Sequence, residues 1–376
     1  MSIHCWSMHH SQIPQSLIDR EASHIGGFAP ELARIDRLHG EPLADPLCLR
    51  PTSETLIYAD WAKKVRSITD LPILINQWGN VFRAERRTRP FLRTFEFHWQ
   101  EGHTAHATAE EAMEETRRML EEYRQLIEGK LAIPTIPGRK TDSERFAGAE
   151  ATFTIEAMMQ DGKALQSATS HYIGSGFPAA YGIRYQAGDN ELRPIHATSW
   201  GLSTRIVGAI IMVHGDDAGL VLPPVVAPTQ AVVLTIQDAK TVKAAGYDEA
   251  ARSLVDRLAS AGIRCEGDFS ADRLGQKQFK WEKFGVPVRI VFGLSEMTGG
   301  TLTLIRRDTN ARLTLPAETI TDSLPHLLAE IQSDMHARAK SRLTENTVLV
   351  RDHDEVREIG DDSNRFFVGG WCGDTA

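Results

Sequence analysis

Apolar and polar positions along this chain recur with two different periods, and the change of period marks its elements. Between Glu110 and Lys130, "EEAMEETRRMLEEYRQLIEGK" places apolar residues at helical spacing among charges, which predicts an amphipathic surface helix. Upstream, "NVFRAE" and "FLRTFEFHWQEGH" alternate in the manner of strands, and the polar "RRTRP" between them reads as a hairpin loop closed by its proline. A period of two puts Arg83 and Glu85 on one face, and likewise Phe97, Trp99, Glu101 and His103; His98 points to the other side.

The run "VLPPVVAPTQ", Val221 to Gln230, carries three prolines and has the extended character of an interdomain linker, so a boundary is expected between residues 226 and 227. Beyond it, short apolar strands ("AVVLTI", "IRCEGDFS", "VPVRIVFG", "TLTLIRR", "RLTL") alternate with amphipathic helices ("YDEAARSLVDRLASAG", "LGQKQFKWEKFG"), and a long helix ends near Arg342. This pattern predicts a small α/β domain over residues 227–342 with a largely parallel sheet. Residues 343–376 turn charged, then aromatic and glycine-rich, and form a C-terminal remnant.

Composition narrows the class. The 376 residues, 41% hydrophobic and 24% charged, suffice for two or three domains with cores of their own. No apolar run reaches the roughly 18 residues of a membrane span, and "MSIHCWSMHHSQIPQ" lacks the blocks of a secretion signal, so a soluble, cytoplasmic protein is expected. Cys5, Cys48, Cys265 and Cys372 are too scattered for a disulfide framework or a Cys-x-x-Cys knuckle. A formal charge of -8 argues against indiscriminate nucleic-acid coating while leaving room for a local basic patch.

The hairpin carries the candidate chemistry. Guanidinium groups without an obvious acidic partner suit a polyanion, since the fork bonds two phosphate oxygens and stays charged; ATP is the natural ligand. The plainer alternative is a solvated hairpin tip with Arg83 paired to Glu85 or Glu96. Neither the P-loop nor the Gly-x-Gly-x-x-Gly pattern occurs, so a nucleotide would be held by side chains on a sheet. Structural readings stand beside the others: His103 and His106 as hydrogen-bonded core histidines, Trp99 as core, and Thr52 with Glu54 as a cap before "TLIYADWAKKV". Glu150 and Glu156 are Mg²⁺ ligands or solvated carboxylates.

"FRAE" with "FLRTFEF" resembles motif 2 of the class II aminoacyl-tRNA synthetases, and "SWGLSTRIVGAIIMVHGDD" resembles motif 3. With "GGFAPELA", "LCLRPTSETLIY", "DLPILINQWGNVFR", "WQEGHTAHAT", "GRKTDSERFAGAE", "ATSHYIG" and "MVHGDDAGLVLPP", the chain from about Ile13 onward is similar to the prolyl-tRNA synthetases of the archaeal and eukaryotic type. The resemblance implies an α+β fold: a class II antiparallel sheet flanked by helices over residues 1–226, then an α/β anticodon-binding domain. It implies ATP-dependent attachment of proline to tRNA(Pro) through prolyl-adenylate, with ATP and Mg²⁺ as cofactors. Arg83 would grip the α-phosphate, Glu85 the adenine edge, Arg93 and Thr94 the polyphosphate and ribose side, and Phe97 and Arg205 the two faces of the base. Gln166, Thr169 and Ser203 would be further nucleotide contacts, with Arg83 and Arg205 catalytic. Thr52 and Glu54 would receive proline's ammonium, near Arg83, while Trp99, Glu101, His103 and His171 shape its pocket.

The resemblance also has edges. Residues 1–12 do not resemble motif 1, the dimer element, so the family's homodimer is in question here. Of the family's C-terminal zinc cysteines only Cys372 remains, and one thiolate cannot close a tetrahedral shell, so no zinc is expected. The chain reads as shortened at both ends. Between motifs 2 and 3, residues 104–198 leave no room for the bacterial type's editing insertion. Lys280, Lys283 and Arg289 offer a basic face for RNA, although "GLSEM" replaces the family's Gly-Pro-Arg-Asp. Two rivals remain: a catalytically inactive synthetase-like protein that holds tRNA or an amino acid, and a ligase for another small amino acid or a carrier protein.

Overall fold

The computed structural model describes residues 5–6, 9–19, 32–238, 240–241, 243–360, 363–371 and 373. Most of "GGFAPELA" and Cys372 lie outside these residues. Strands β1 (Ile73–Phe82), β2 (Glu96–His106), β3 (Ala151–Met158), β4 (Ala164–Gly174) and β5 (His196–Ser203) make the body of a seven-stranded sheet, ordered Cys5–Trp6, β1, β2, β5, β4, β3, Thr135–Arg139. The pairings are antiparallel except that of Cys5–Trp6 with β1.

Alternation along β2 holds as read: Phe97, Trp99, Glu101 and His103 share a face. On the opposite face Gly102 sits across from Trp200, where a Cβ would fall 1.8 Å from the indole ring. The expectation for Arg83 and Glu85 changes. Strand β1 stops at Phe82, and Glu85 N donates back to Arg83 O at 2.7 Å, a tight turn that breaks the pleat and puts both residues on the loop beyond it.

Helix α1 (Glu54–Lys64) buries Ile57, Tyr58 and Trp61 in a core with Phe177 and Tyr181. Thr52 and Glu54 do not cap it; they hydrogen-bond each other, and Ser53 takes the cap position without a side-chain bond. Helix α2 (Ala109–Leu131) starts with a capping box in which Thr108 Oγ1 accepts from Glu111 N and Glu111 turns back to the Thr108 N–H. Its buried stripe, Ala112, Thr116, Tyr123, Ile127 and Leu131, packs on the sheet. Helix α3 (Arg205–His214) follows β5 directly, so its first residue stands at the end of the strand face that carries Ser203.

Residues 221–230 form neither helix nor strand. After them come β6 (Ala231–Thr235), helix α4 (Tyr247–Ser260), β7 (Cys265–Asp268), helix α5 (Leu274–Lys283), β8 (Val288–Phe292), β9 (Thr301–Arg306), β10 (Arg312–Pro316) and helix α6 (Ile320–Glu345). The sheet order is β7, β6, β8, β9, β10, with two parallel pairings at β6 and two antiparallel ones beyond β8. Only half the sheet is parallel, against the expectation of a largely parallel one. Helical crossovers α4 and α5 serve the parallel half; residues 293–300 and 307–311 are too short for the crossover of about a dozen residues that another parallel strand requires.

The two sheets are tied through α3. Arg342 Nη1 donates to Val213 O at 3.0 Å, and Ala339 of α6 packs with Ala209 and Val213. Just past α3, Asp216 takes both terminal nitrogens of Arg307 at 2.7 and 2.5 Å, while Arg307 Nε donates to Glu282 O at 2.9 Å. Arg307 is 1% exposed. Asp216 is half open to water, so Arg307→Gln should cost about 1–3 kcal/mol rather than the full penalty of an orphaned buried charge. An unfolding midpoint in urea that does not move would contradict this.

Candidate active site

The polar ends of β2, β4 and β5 open into one cleft. At its deep end Glu101, 2% exposed, accepts hydrogen bonds at Oε1 from Ser53 Oγ and Gln77 Nε2, both at 2.5 Å, while its Oε2 meets His103 Nε2 at 2.9 Å. Burial pushes the Glu101 carboxyl up, but His103, Ser53 and Gln77 outweigh it and hold the group below the ordinary carboxylate range. For His103 burial favours the neutral ring, and the Glu101 bond and charge overcome that, raising its pKa. His171 on β4 is different. Its Nδ1 lies 3.0 Å from Thr152 Oγ1, its ring leans on Phe146, and burial, with Lys140, His103 and Arg83 nearby, lowers its pKa to about 3. It is a neutral wall.

Arg83 crosses the middle. Its Nε donates to Pro51 O at 3.1 Å and its guanidinium stands 5.3 Å from the Phe97 ring and 5.8 Å from Trp99. Protein surrounds most of the group, yet its surface faces the open cleft. Burial lowers its pKa, with Glu54 the chief opposing charge; a guanidinium stays ionised through such a shift.

Toward the far end Arg205 Nε donates to Leu92 O at 2.9 Å and Nη1 to Gln166 O at 3.4 Å. Arg93 and Glu85 pair at 2.7 Å, so the Glu85 carboxylate does have a cationic partner, Arg93 rather than Arg83. Thr94 Oγ1 donates to Glu96 O at 2.6 Å. Glu85, Arg93 and Thr94 border a smaller recess that shares Arg83, Phe97, Ser203 and Arg205 with the main cleft. Thr52, Glu54, Trp99, Glu101, His103, Gln166, Thr169 and His171 line the main cleft itself.

Three buried polar atoms along this cleft, His103 Nδ1, Trp99 Nε1 and Ser199 Oγ, have no hydrogen-bond partner among the described residues. Buried polar groups are normally satisfied, so a cluster of orphans beside an open space marks where a polar ligand belongs.

The cleft also contains residues that sequence reasoning passed over: Lys140, Glu144, Phe146, Thr152 and Ser199. Ser199 could have been found by extending the period of two back from Ser203 along β5. The others lie in or beside "GRKTDSERFAGAE". Glu150 is turned away, accepting from Ser175 N at 3.3 Å, whereas Glu156 lies across from Gln166 and close enough to Arg205 to act on it. In the second sheet Arg289 does not belong to a basic face. It is 3% exposed, bonded to Asn310 at 3.0 Å and paired with Glu282 at 3.1 Å, because strand β8 is buried on both sides. The exposed groups there are Lys280, Lys283, Phe279 and Phe284.

Among the described residues no three His, Cys, Asp or Glu side chains group as a resident metal would require. Nor, among the described residues, is any helix long and apolar enough to cross a membrane.

Residues 37–214 match the model of the tRNA synthetase class II core domain (G, H, P, S and T), and residues 230–326 that of the anticodon binding domain. The chain is 47% identical over 364 residues to the proline-tRNA ligase of Lachnospira eligens, and 48% identical to that of Oceanobacillus iheyensis. Each alignment spans 97% of this chain and 75% of the relative. Prolyl-tRNA synthetase from Cryptosporidium parvum, solved with halofuginone and AMPPNP, superposes with a TM-score of 0.93 at 34% identity, over 98% of this chain and 74% of that one. The same enzyme solved with L-proline and AMP also gives 0.93.

Proposed function

Because this chain belongs to the prolyl-tRNA synthetase family, we propose that it activates proline with ATP as prolyl-adenylate and then passes the prolyl group to the terminal ribose of tRNA(Pro). The observation that carries the reading is the cleft itself, where a cationic middle at Arg83 separates a compact slot from an aromatic and arginine-lined recess.

Thr52 and Glu54 receive the secondary ammonium of proline, and Trp99, Glu101, His103 and His171 enclose its ring. A neutral His171 adds no charge to repel that ammonium. Arg83 draws the carboxylate and the α-phosphate together. Phe97 and Arg205 hold the adenine between them, Glu85 meets its edge, and Arg93, Thr94, Gln166, Thr169 and Ser203 complete the nucleotide contacts. For Phe97 to stack, Arg83 has to swing from its ring onto phosphate, a short exchange of one π-face partner for another. Catalysis of this kind is orientation plus neutralisation of growing charge, and needs no general base.

Mg²⁺ would arrive with the triphosphate and supply charge neutralisation on the leaving pyrophosphate. A cation that keeps its waters and leans on phosphate oxygens asks for one or two carboxylates, and Glu156, near enough to Arg205 to act on it, would offer one. Residues 1–226 form the catalytic domain and 227–342 the anticodon-binding domain in this reading, with 343–376 as a C-terminal segment. Lys280 and Lys283 with the exposed Phe279 and Phe284 offer charge and stacking for tRNA. Cytoplasmic location belongs to the same proposal.

Exchange of labelled pyrophosphate into ATP, run with each amino acid in turn, tests this. Proline alone should support exchange at high rate. Exchange driven by a different amino acid would reassign the substrate, and none with any amino acid beside intact tRNA binding would favour a non-catalytic tRNA holder.

A further inference from the structure

Lys140 enters the cleft from the loop that follows Thr135–Arg139. Its backbone N–H donates to Thr152 O at 2.8 Å, which fixes where the side chain begins. Its ammonium donates to Gln166 Oε1 at 2.5 Å, and among the described residues no carboxylate pairs with it. The backbone oxygen of the same Gln166 takes Arg205 Nη1. Lys140 also stands near enough to His171 to help keep that ring neutral. The side chain therefore touches a nucleotide-side residue and influences a proline-side one, which places it over the junction between the two halves of the cleft.

A half-buried ammonium held by a neutral amide, with no counter-ion, is set to take an anion. Resting on the reading of the cleft given above, we infer that Lys140 is a further catalytic residue that contacts a non-bridging oxygen of the α-phosphate during adenylate formation. In that step a proline carboxylate oxygen forms a bond to the α-phosphorus. The bond from phosphorus to the α,β-bridging oxygen breaks, and that oxygen leaves with its electron pair as pyrophosphate. No proton or redox equivalent is exchanged. Negative charge grows on the α-phosphoryl oxygens, and Lys140 meets it from the side opposite the strand that leads to Arg83.

The test is proline-dependent exchange by the full chain carrying Lys140→Met, Lys140→Gln or Lys140→Arg, each checked by thermal melting. Both neutral variants should lower kcat about 100-fold with the KM for proline shifted less than about 3-fold, and Lys140→Arg should retain more than about a tenth of the rate. Near-normal kcat in Lys140→Met overturns the inference. So does recovery in Lys140→Gln alone, because that side chain can still donate to Gln166 but carries no charge. If the unaltered chain shows no exchange with proline, the parent reading of the cleft fails as well; loss confined to the neutral variants supports both.

Discussion

Arg83→Ala should abolish proline-dependent pyrophosphate exchange, with a fall of about 10³ or more in turnover, because the group is assigned to the phosphorus under attack and to both reactants. The fold should hardly notice. Among the described residues the Arg83 side chain makes one hydrogen bond, to Pro51 O, and two ring contacts, and its surface faces the cleft, so a change in stability within about 1 kcal/mol is expected. Arg83→Lys should recover little, since an ammonium cannot bond two oxygens in one plane. Rates and melting curves measured on one preparation separate the two effects. Turnover within tenfold of the unaltered chain would remove Arg83 from its assigned role.

Glu101→Gln should do the reverse, damaging the fold as well as the rate. Its carboxylate is the common acceptor for Ser53, Gln77 and His103, all buried, and an amide cannot accept from all three. Breaking one partner of a buried pair costs about 3–5 kcal/mol, enough to lower the unfolding midpoint sharply. The pH dependence carries a signature. His103 has a raised pKa in the folded state, so its share is complete below 6.5 and is lost as pH rises through the folded value. Glu101 has a lowered one, so its share is complete above 4.5 and is lost as pH falls through the folded value. The gap in stability between the unaltered chain and Glu101→Gln should therefore be widest between about pH 4.5 and 6.5 and narrow on either side. A gap independent of pH would mean that the two groups are not an ion pair.

What the sequence disclosed depended on how far each feature reaches along the chain. Strand β2 and helix α2 were legible because their periods are local, and the face shared by Phe97, Trp99, Glu101 and His103 follows from the pleat alone. Alternation alone puts Arg83 and Glu85 on a strand because it cannot register a turn as tight as the one at Glu85. Arg289 reads as a surface charge because nothing local announces that β8 is covered on both sides, or that Asn310 and Glu282 wait for it. Ser53, Gln77 and Lys140 belong to the site only through contacts 24 to 48 residues away. Such juxtapositions exist only once the sheet is assembled. The split of the second sheet into parallel and antiparallel halves was encoded in loop length, which the strand count by itself passes over.

The missing side chain at Gly102 has a consequence for anyone hoping to retune this molecule. With the Trp200 indole pressed against bare backbone between Glu101 and His103, the floor of the slot can neither sink nor slide by a residue without a collision. Accepting a bulkier imino acid would have to come from trimming the walls, at Trp99 or Phe146, because the base beneath them is already in contact with solid packing.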